Sequence, residues 1–217
     1  MRFKLAVFDM DGTILDTLED LQDSLNVILT QYGYPVRSLE EVRCFVGNGI
    51  LKLIERALPA ECSTEQVQMV YRDFVPYYRE HSADKTRPYE GVVALLEELK
   101  KSGMKLAVVS NKADAAVQDL CVQYFEGLFD MAAGEREGME KKPAPDMVEL
   151  VLNTLQVSKE EAVYIGDSEV DIATAHNSGL HLCAVEWGFR DICVLKEHGA
   201  EYIFADTESL QKYLLQG

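Results

Sequence analysis

The sequence predicts an α/β protein: a doubly wound, parallel-sheet core with an α-helical cap inserted near its start. Three observations carry this. From Pro88 onward, apolar runs of strand length alternate with helical stretches, the pattern of a parallel sheet covered on both faces. From Asp16 to about Asp84 the chain reads as helix throughout. Finally, three apolar runs stop on polar residues, Asp9, Ser110 and Asp167, which can converge at one rim of the sheet. Open α/β sheets place their ligands at such a rim. The domain reading is therefore an α/β core from residues 1–15 and 85–217, with residues 16–84 as the helical cap.

The first element, Leu5-Ala6-Val7-Phe8, ends abruptly at a carboxylate, as a buried parallel strand does when it delivers Asp9 to a sheet rim. Asp9 and Asp11, followed at once by Gly12-Thr13, can face one pocket if the chain turns between them. Two anions that close need a cation or a shared proton. Their chemical use is a nucleophile beside a general acid/base, with a divalent metal holding the charges together. The same residues also suit an ordinary Asp-Gly turn, and the dipeptide pattern alone leaves both readings open.

Between Asp16 and Tyr32, Leu18, Leu21, Leu25, Ile28 and Leu29 recur at helical spacing. Thr17 and Asp20 suit a capping box, and Gly33-Tyr34-Pro35 ends the helix. Val42 to Gly49 reads as a turn into a second amphipathic helix that carries Ile50, Leu53, Ile54 and Ala57. A third helix covers roughly Thr64 to His81, with Pro76 expected to kink it. Its aromatic residues from Tyr71 to Tyr78 read as cap core.

In the core, a helix over Val92–Leu99 stops at Gly103, and a buried strand from Met104 to Val109 ends in Ser110-Asn111-Lys112. A helix from Ala113 to Phe125 and a weaker strand, Phe129 to Ala133, follow. Lys141-Lys142-Pro143-Ala144-Pro145 is a loop that enters a helix near Asp146, and Ser158 to Glu161 is a short capped turn. Val163-Tyr164-Ile165 is a strand running into Gly166-Asp167, and the next helix, Glu169 to Ser178, closes on Gly179. Leu182–Val185 and Tyr202–Phe204 are further strands, and Thr207 caps the last helix.

Composition narrows the function. With 217 residues, 47% of them hydrophobic, the chain can bury a full core. Its net charge of −16 argues against nucleic acid as a partner and against an anionic membrane surface. Small phosphorylated substrates stay open, because a bound Mg²⁺ and a few placed cations reverse the local field. No apolar run has spanning length and the first ten residues lack a signal-peptide layout, so a soluble, cytoplasmic protein is expected. The five cysteines form no C-x-x-C pair, and the four histidines lack ligand spacing.

Phe8-Asp9-Met10-Asp11-Gly12-Thr13, then Ser110-Asn111, then Lys142 before Pro143, then Gly166-Asp167-Ser168-Glu169-Val170-Asp171 resemble, in order, the four motifs of the haloacid dehalogenase superfamily. The helical block between the first two resembles that superfamily's small α-helical cap. Val46-Gly47-Asn48-Gly49 together with Trp187-Gly188-Phe189 is most similar to the phosphoglycolate phosphatase group.

The resemblance implies a Mg²⁺-dependent phosphomonoester hydrolase that works through an aspartyl-phosphate on a small soluble phosphate ester, with phosphoglycolate the first suggestion. Asp9 would be the nucleophile and Asp11 the acid/base, a role that asks for a raised pKa. Gly12 and Thr13 would support the loop, and Ser110 with the Asn111 amide would bind phosphoryl oxygens, although both also suit plain helix capping. Lys142 would pair with Asp9 and the phosphate, with Lys141 as its competitor. Asp9, Asp167 and the Asp11 carbonyl would ligate the metal, and Asp171 would hold its waters, although Ser168-x-x-Asp171 is also a capping box. Gly47, Asn48 and Gly49 would form a substrate-approach loop or a plain interhelical turn, and Arg43 and Arg190 are further candidates for a substrate carboxylate. A cap joined by two short segments would hinge over the sheet rim and exclude water. The competing activities are a pyrophosphatase or nucleotide phosphatase, a sugar-phosphate mutase of the same superfamily, and a non-catalytic phospho-acceptor domain. Oligomeric state is not readable from the sequence.

Overall fold

Central strands of a parallel sheet are buried on both faces and so read as unbroken apolar runs; the first strand of this chain follows that rule. In the computed structural model, which describes residues 2–216, β1 (Leu5–Phe8) is buried at every position. The chain forms two units, one made of the residues up to Leu15 together with Pro88 onward, the other of Asp16–Arg87. It passes between them in two dipeptides, β2 (Leu15–Asp16) and β3 (Arg87–Pro88), which pair as a two-stranded sheet.

The first unit is a six-stranded parallel sheet flanked by helices. β1 lies between β4 (Lys105–Ala113) and β6 (Ala162–Gly166), with Leu5 opposite Lys105 and Ala162, and Phe8 opposite Val108 and Ile165. β5 (Met131–Glu135) adds to β4, while β7 (His181–Val185) and β8 (Ile203–Phe204) add beyond β6, in the order β5-β4-β1-β6-β7-β8. Side chains alternate across a strand. Leu5 and Val7 therefore share one face with Ala107 and Val109, and there they meet Met147, Val148 and Val151 of the helix Asp146–Leu155. Phe8 points the other way, with its ring centroid 6.4 Å from that of Phe129. Each such aliphatic or aromatic side chain contributes roughly 1.5–3 kcal/mol when fully buried. The sheet is thereby a stiff platform for whatever its strand ends carry.

The second unit is helical: α1 (Leu18–Gln31), α2 (Leu39–Phe45), α3 (Ile50–Ala57) and α4 (Thr64–His81). Its core takes Leu25, Ile28 and Leu29 from α1, Ile54 from α3 and Phe74 and Tyr78 from α4, all buried. Pro76 sits inside α4.

Several local expectations need correction. Val42 is not the start of a turn, because α2 already runs from Leu39, opened by a capping box of Ser38 and Glu41. Thr17 makes no side-chain cap, and Asp20 does not close back on it. The Asp20 carboxylate instead accepts the Lys85 amide (3.0 Å) and the Thr86 amide (2.8 Å), two donors far along the chain that local spacing cannot reveal. At the C-terminal helix (Thr207–Leu215) the cap is Asp206, which accepts the Ser209 amide at 2.7 Å, one residue before the expected Thr207. A short helix, Ile192–Glu197, is additional to the elements read from sequence. Among the described residues, no helix is long and apolar enough to cross a membrane.

Candidate active site

The parallel register alone brings three polar strand ends together. Phe8 is level with Val108 and with Ile165, and the Asp9 amide continues the ladder by donating to the Ile165 carbonyl at 2.9 Å. Asp9 therefore emerges beside Gly166-Asp167, with Ser110 two positions beyond Val108 on the other flank. The amides of Thr13, Ile14 and Leu15 then all point back to the Met10 carbonyl, so the chain turns tightly out of β1. Gly12 carries the left-handed φ of +91° that this turn requires, and a Cβ there would lie 2.4 Å from an Asp167 carboxylate oxygen.

Carboxylate oxygens of Asp9, Asp167 and Asp171, all buried, lie within 4.8 Å of one another. Lys142 reaches two of them. Lys142 Nζ is 2.7 Å from Asp9 Oδ1, 2.8 Å from Asp171 Oδ1 and 3.1 Å from the Tyr164 hydroxyl. The Tyr164 hydroxyl donates onward to Asp171 Oδ1 at 3.1 Å. The other Asp171 oxygen accepts the amides of Asp167 and Ser168 and the Ser168 hydroxyl, so capping of its helix and service in the site coexist. Lys141 points elsewhere, to Glu135 at 3.0 Å, so of the two lysines it is Lys142 that pairs with Asp9.

Asp167 is held at both oxygens. The Thr13 hydroxyl donates to Oδ1 at 3.0 Å and the Phe189 amide to Oδ2 at 2.7 Å. Trp187 donates its indole N–H to the Thr13 carbonyl at 3.0 Å, so the 187–189 segment braces both the first and the last motif. Between them only glycine fits: a Cβ on Gly188 would lie 2.3 Å from the Asp167 Cβ and 2.4 Å from the Gly12 carbonyl oxygen.

Three buried carboxylates crowd around the Lys142 ammonium, and the protonation equilibria register the excess of negative charge. Burial and then the Asp171 charge push the Asp9 carboxyl well above the usual carboxylate range, Lys142 pulls against them, and Asp167 adds to the rise. Burial and Asp171 push Asp167 up to about 7. Burial works against the Lys142 ammonium, but Asp171 and Asp9 outweigh it and hold its pKa well above the ordinary lysine value. A crowded, all-oxygen, net-negative donor set of this kind fits a hard divalent cation, whose charge would restore the ionised carboxylates.

The other expected residues divide. The Asp11 side chain does not join the acidic cluster; its Oδ1 pairs with Lys112 Nζ at 2.9 Å. Ser110 and Asn111 are buried at the rim and do not cap the next helix, which opens at Asp114 with no side-chain cap. The Ser110 hydroxyl accepts the Lys112 amide at 3.2 Å, and the Asn111 side-chain amide donates to the Lys142 carbonyl at 3.0 Å, which ties two motif loops together. In the helical unit, Gly47 and Gly49 take left-handed φ values of 111° and 85° at the turn between α2 and α3, and the Asn48 side chain accepts from Arg56 at 2.8 Å. Arg190 forks onto Glu169 at 2.7 and 3.2 Å, and Arg43 lies 3.6 Å from Glu40.

Sequence reasoning passed over Lys112 and Tyr164 as functional candidates. Each left a signal: a lysine follows Ser110-Asn111 at the end of an apolar strand, and a tyrosine sits mid-strand where its hydroxyl must find a buried partner.

The chain is similar to known proteins over most of its length. The family model for haloacid dehalogenase-like hydrolases matches residues 6–185. A phosphoglycolate phosphatase of Psychrobacter arcticus is 31% identical, over 98% of this chain and 96% of its own. Among solved structures, a protein from Lactobacillus delbrueckii subsp. bulgaricus superposes with a TM-score of 0.97 at 40% identity, over the whole of both chains. CbbY from Rhodobacter sphaeroides, solved in complex with phosphate, has a TM-score of 0.77 at 25% identity, covering 96% of each chain. A family match over most of the sequence and a relative 31% identical along nearly its whole length show that this chain belongs to the haloacid dehalogenase-like hydrolases.

Proposed function

We propose that the protein is a magnesium-dependent phosphomonoester hydrolase, that Asp9 is its nucleophile, and that its substrate is a small phosphate ester of the phosphoglycolate kind. The observation that carries this reading is the pairing of Asp9 with Lys142 at 2.7 Å inside a buried acidic cluster. A carboxylate so placed is held still and is poised to share a cation with an incoming phosphate. Phosphoglycolate is favoured because the curated relative from Psychrobacter arcticus, similar over nearly its full length, carries that activity in its name. That CbbY was solved in complex with phosphate supports a phosphorylated ligand for this fold. In this reading the α/β unit is the catalytic core and Asp16–Arg87 its cap, with Gly47, Asn48 and Gly49 as the cap's substrate loop.

The Asp9 carboxylate attacks phosphorus in line, and the bond from phosphorus to the ester oxygen breaks. That oxygen takes a proton from Asp11 and leaves as the alcohol. Water then attacks the phosphorus of the aspartyl-phosphate and gives a proton to Asp11. The bond between phosphorus and Asp9 breaks, and inorganic phosphate leaves with Asp9 restored. Asp9, Asp167 and the main-chain oxygen of Asp11 would hold magnesium, whose charge would offset repulsion between Asp9 and the phosphate dianion. Lys142 keeps the Asp9 carboxylate oriented throughout. Ser110 and the Asn111 amide meet the phosphoryl oxygens. Asp171, whose two oxygens accept from Lys142, Tyr164, Asp167 and Ser168, acts by keeping those groups in place.

A panel of phosphate esters that includes phosphoglycolate tests the reading. Steady phosphate release that requires added Mg²⁺ and disappears in Asp9→Asn supports it, as does an acyl-phosphate that accumulates in Asp11→Asn. Undiminished turnover in Asp9→Asn would overturn the assignment of Asp9. Isomerisation of a hexose phosphate with little free phosphate would move the protein to the mutases.

A further inference from the structure

In-line attack sets a separation between two side chains that stand close in sequence. With Asp9 attacking phosphorus, the leaving oxygen lies on the far side of it. The acid that protonates that oxygen must therefore stand off from the nucleophile by the width of a phosphoryl group. A single residue separates Asp11 from Asp9, so nothing in the spacing keeps the two carboxylates apart. Yet the Asp11 side chain lies outside the cluster of Asp9, Asp167 and Asp171. It keeps 22% of its surface exposed, against 12% for Asp9 and none for Asp171, and so stands on the outer side of the rim.

The tether comes from another strand. Lys112 stands in the irregular end of β4, buried, and its Nζ lies 2.9 Å from Asp11 Oδ1. Its backbone is pinned. The Lys112 amide donates to the Ser110 hydroxyl at 3.2 Å, and a Cβ on Gly134 of β5 would lie 2.6 Å from the Lys112 carbonyl oxygen. The main chain of Asp11 is held as well, by the turn that bridges it to Leu15. An ion pair largely withdrawn from water gives little net stability, because desolvation offsets the attraction. What this pair supplies is a direction for the Asp11 carboxylate. We propose that Lys112 is a positioning residue for Asp11, holding its carboxylate off the nucleophile's cluster and on the outer side of the rim, where the leaving oxygen passes. This rests on the phosphatase reading above and deepens it by naming what keeps nucleophile and acid apart.

The test measures kcat/KM, which covers events up to departure of the leaving group, for two esters in the full chain with Mg²⁺. Wild type, Lys112→Met, Asp11→Asn and the double variant are compared. Thermal unfolding establishes that each is folded, and Lys112→Gln, which stays polar, replaces Lys112→Met if that variant does not fold. An alkyl ester such as phosphoglycolate needs a proton on its leaving oxygen. Its kcat/KM should fall about 10²-fold in Lys112→Met, the scale of a misplaced reacting group. The phenolate of p-nitrophenyl phosphate leaves without a proton, so that ester should change by no more than a few-fold. In Asp11→Asn the lysine substitution should add nothing, because two residues that act as a unit are not additive. An unchanged alkyl ester, equal losses on both esters, or a loss that persists in full in Asp11→Asn would each overturn the proposal. If the wild type hydrolyses no ester in the panel, it is the phosphatase reading that fails. A crystal structure of Lys112→Met then decides the role of Lys112: an Asp11 carboxylate that leaves its place supports the tether, and one that stays overturns it.

Discussion

Asp20 in the helical unit and Asp9 in the α/β unit are both buried carboxylates, at 2% and 8% exposure, yet they are furnished in opposite ways. Asp20 receives the backbone amides of Lys85 and Thr86, neutral donors that fix a returning segment of chain. Asp9 receives one ammonium, which it shares with Asp171, and otherwise faces two more carboxylates. The first arrangement is complete as it stands. The second is electrostatically unfinished, and burial pushes the carboxyls of Asp9 and Asp167 upward in pKa accordingly. A buried aspartate is therefore no sign of function by itself; the balance between carboxylates and the donors around them is what separates a structural acid from a reactive one.

Substitutions can break or sharpen that contrast. The largest effect expected is on turnover: Asp9→Asn should lower phosphate release by at least about 10³-fold, as loss of a nucleophile does, while the thermal midpoint of the metal-free protein stays level or rises. Asp20→Ala should do the reverse to the fold, lowering stability by about 2–4 kcal/mol through two backbone amides left without an acceptor, read by denaturant unfolding. A large stability loss in Asp9→Asn would erase the distinction.

Next comes Gly188→Ala. Its added methyl would stand 2.3 Å from the Asp167 Cβ and 2.4 Å from a backbone oxygen. A loss of about 1–3 kcal/mol is expected from overpacking, together with weaker Mg²⁺ binding by calorimetry. Unchanged metal affinity would show that the brace around Asp167 does not matter to its charge.

The third is a pH effect. The folded-state pKa of Asp167, about 7, lies above the unfolded carboxylate value of roughly 3.9. For a raised pKa, the contribution to stability is present below the unfolded value and is lost as pH rises through the folded one. Metal-free protein should accordingly lose this contribution between about pH 4 and 7, and the rise in thermal midpoint on adding Mg²⁺ should be larger at pH 8 than at pH 6. Asp167→Asn should reduce both the pH dependence and the metal response, leaving the share that belongs to Asp9.

The smallest effects belong to the helix starts. Ser38→Ala should cost about 1 kcal/mol, since its hydroxyl closes a capping box. Thr17→Val should stay within about 0.5 kcal/mol or stabilise, because the buried Thr17 hydroxyl has no hydrogen-bond partner among the described residues. A costly Thr17→Val would restore the cap expected from its spacing to Asp20.

The sequence by itself determined the alternation of strands and helices, the interruption after the first strand, and the strand-end acids. These follow from local rules: apolar runs of strand length, helical periodicity, and carboxylates that cannot remain inside an apolar strand. The choice of Lys142 over Lys141 was also legible, from its place directly before Pro143. Tertiary structure alone decided the partners. Nothing in the spacing of Thr17 and Asp20 foretells that Asp20 serves amides some 65 residues away, or that the lysine closing β4 turns to Asp11. Asp171 meets Lys142 only because the fold brings the loop before Pro143 to the end of β6, whereas its bond to Ser168 is the local capping box that spacing already suggests. Propensity and periodicity act between near neighbours, whereas charge pairing in a desolvated rim depends on distances that exist only once the sheet has closed.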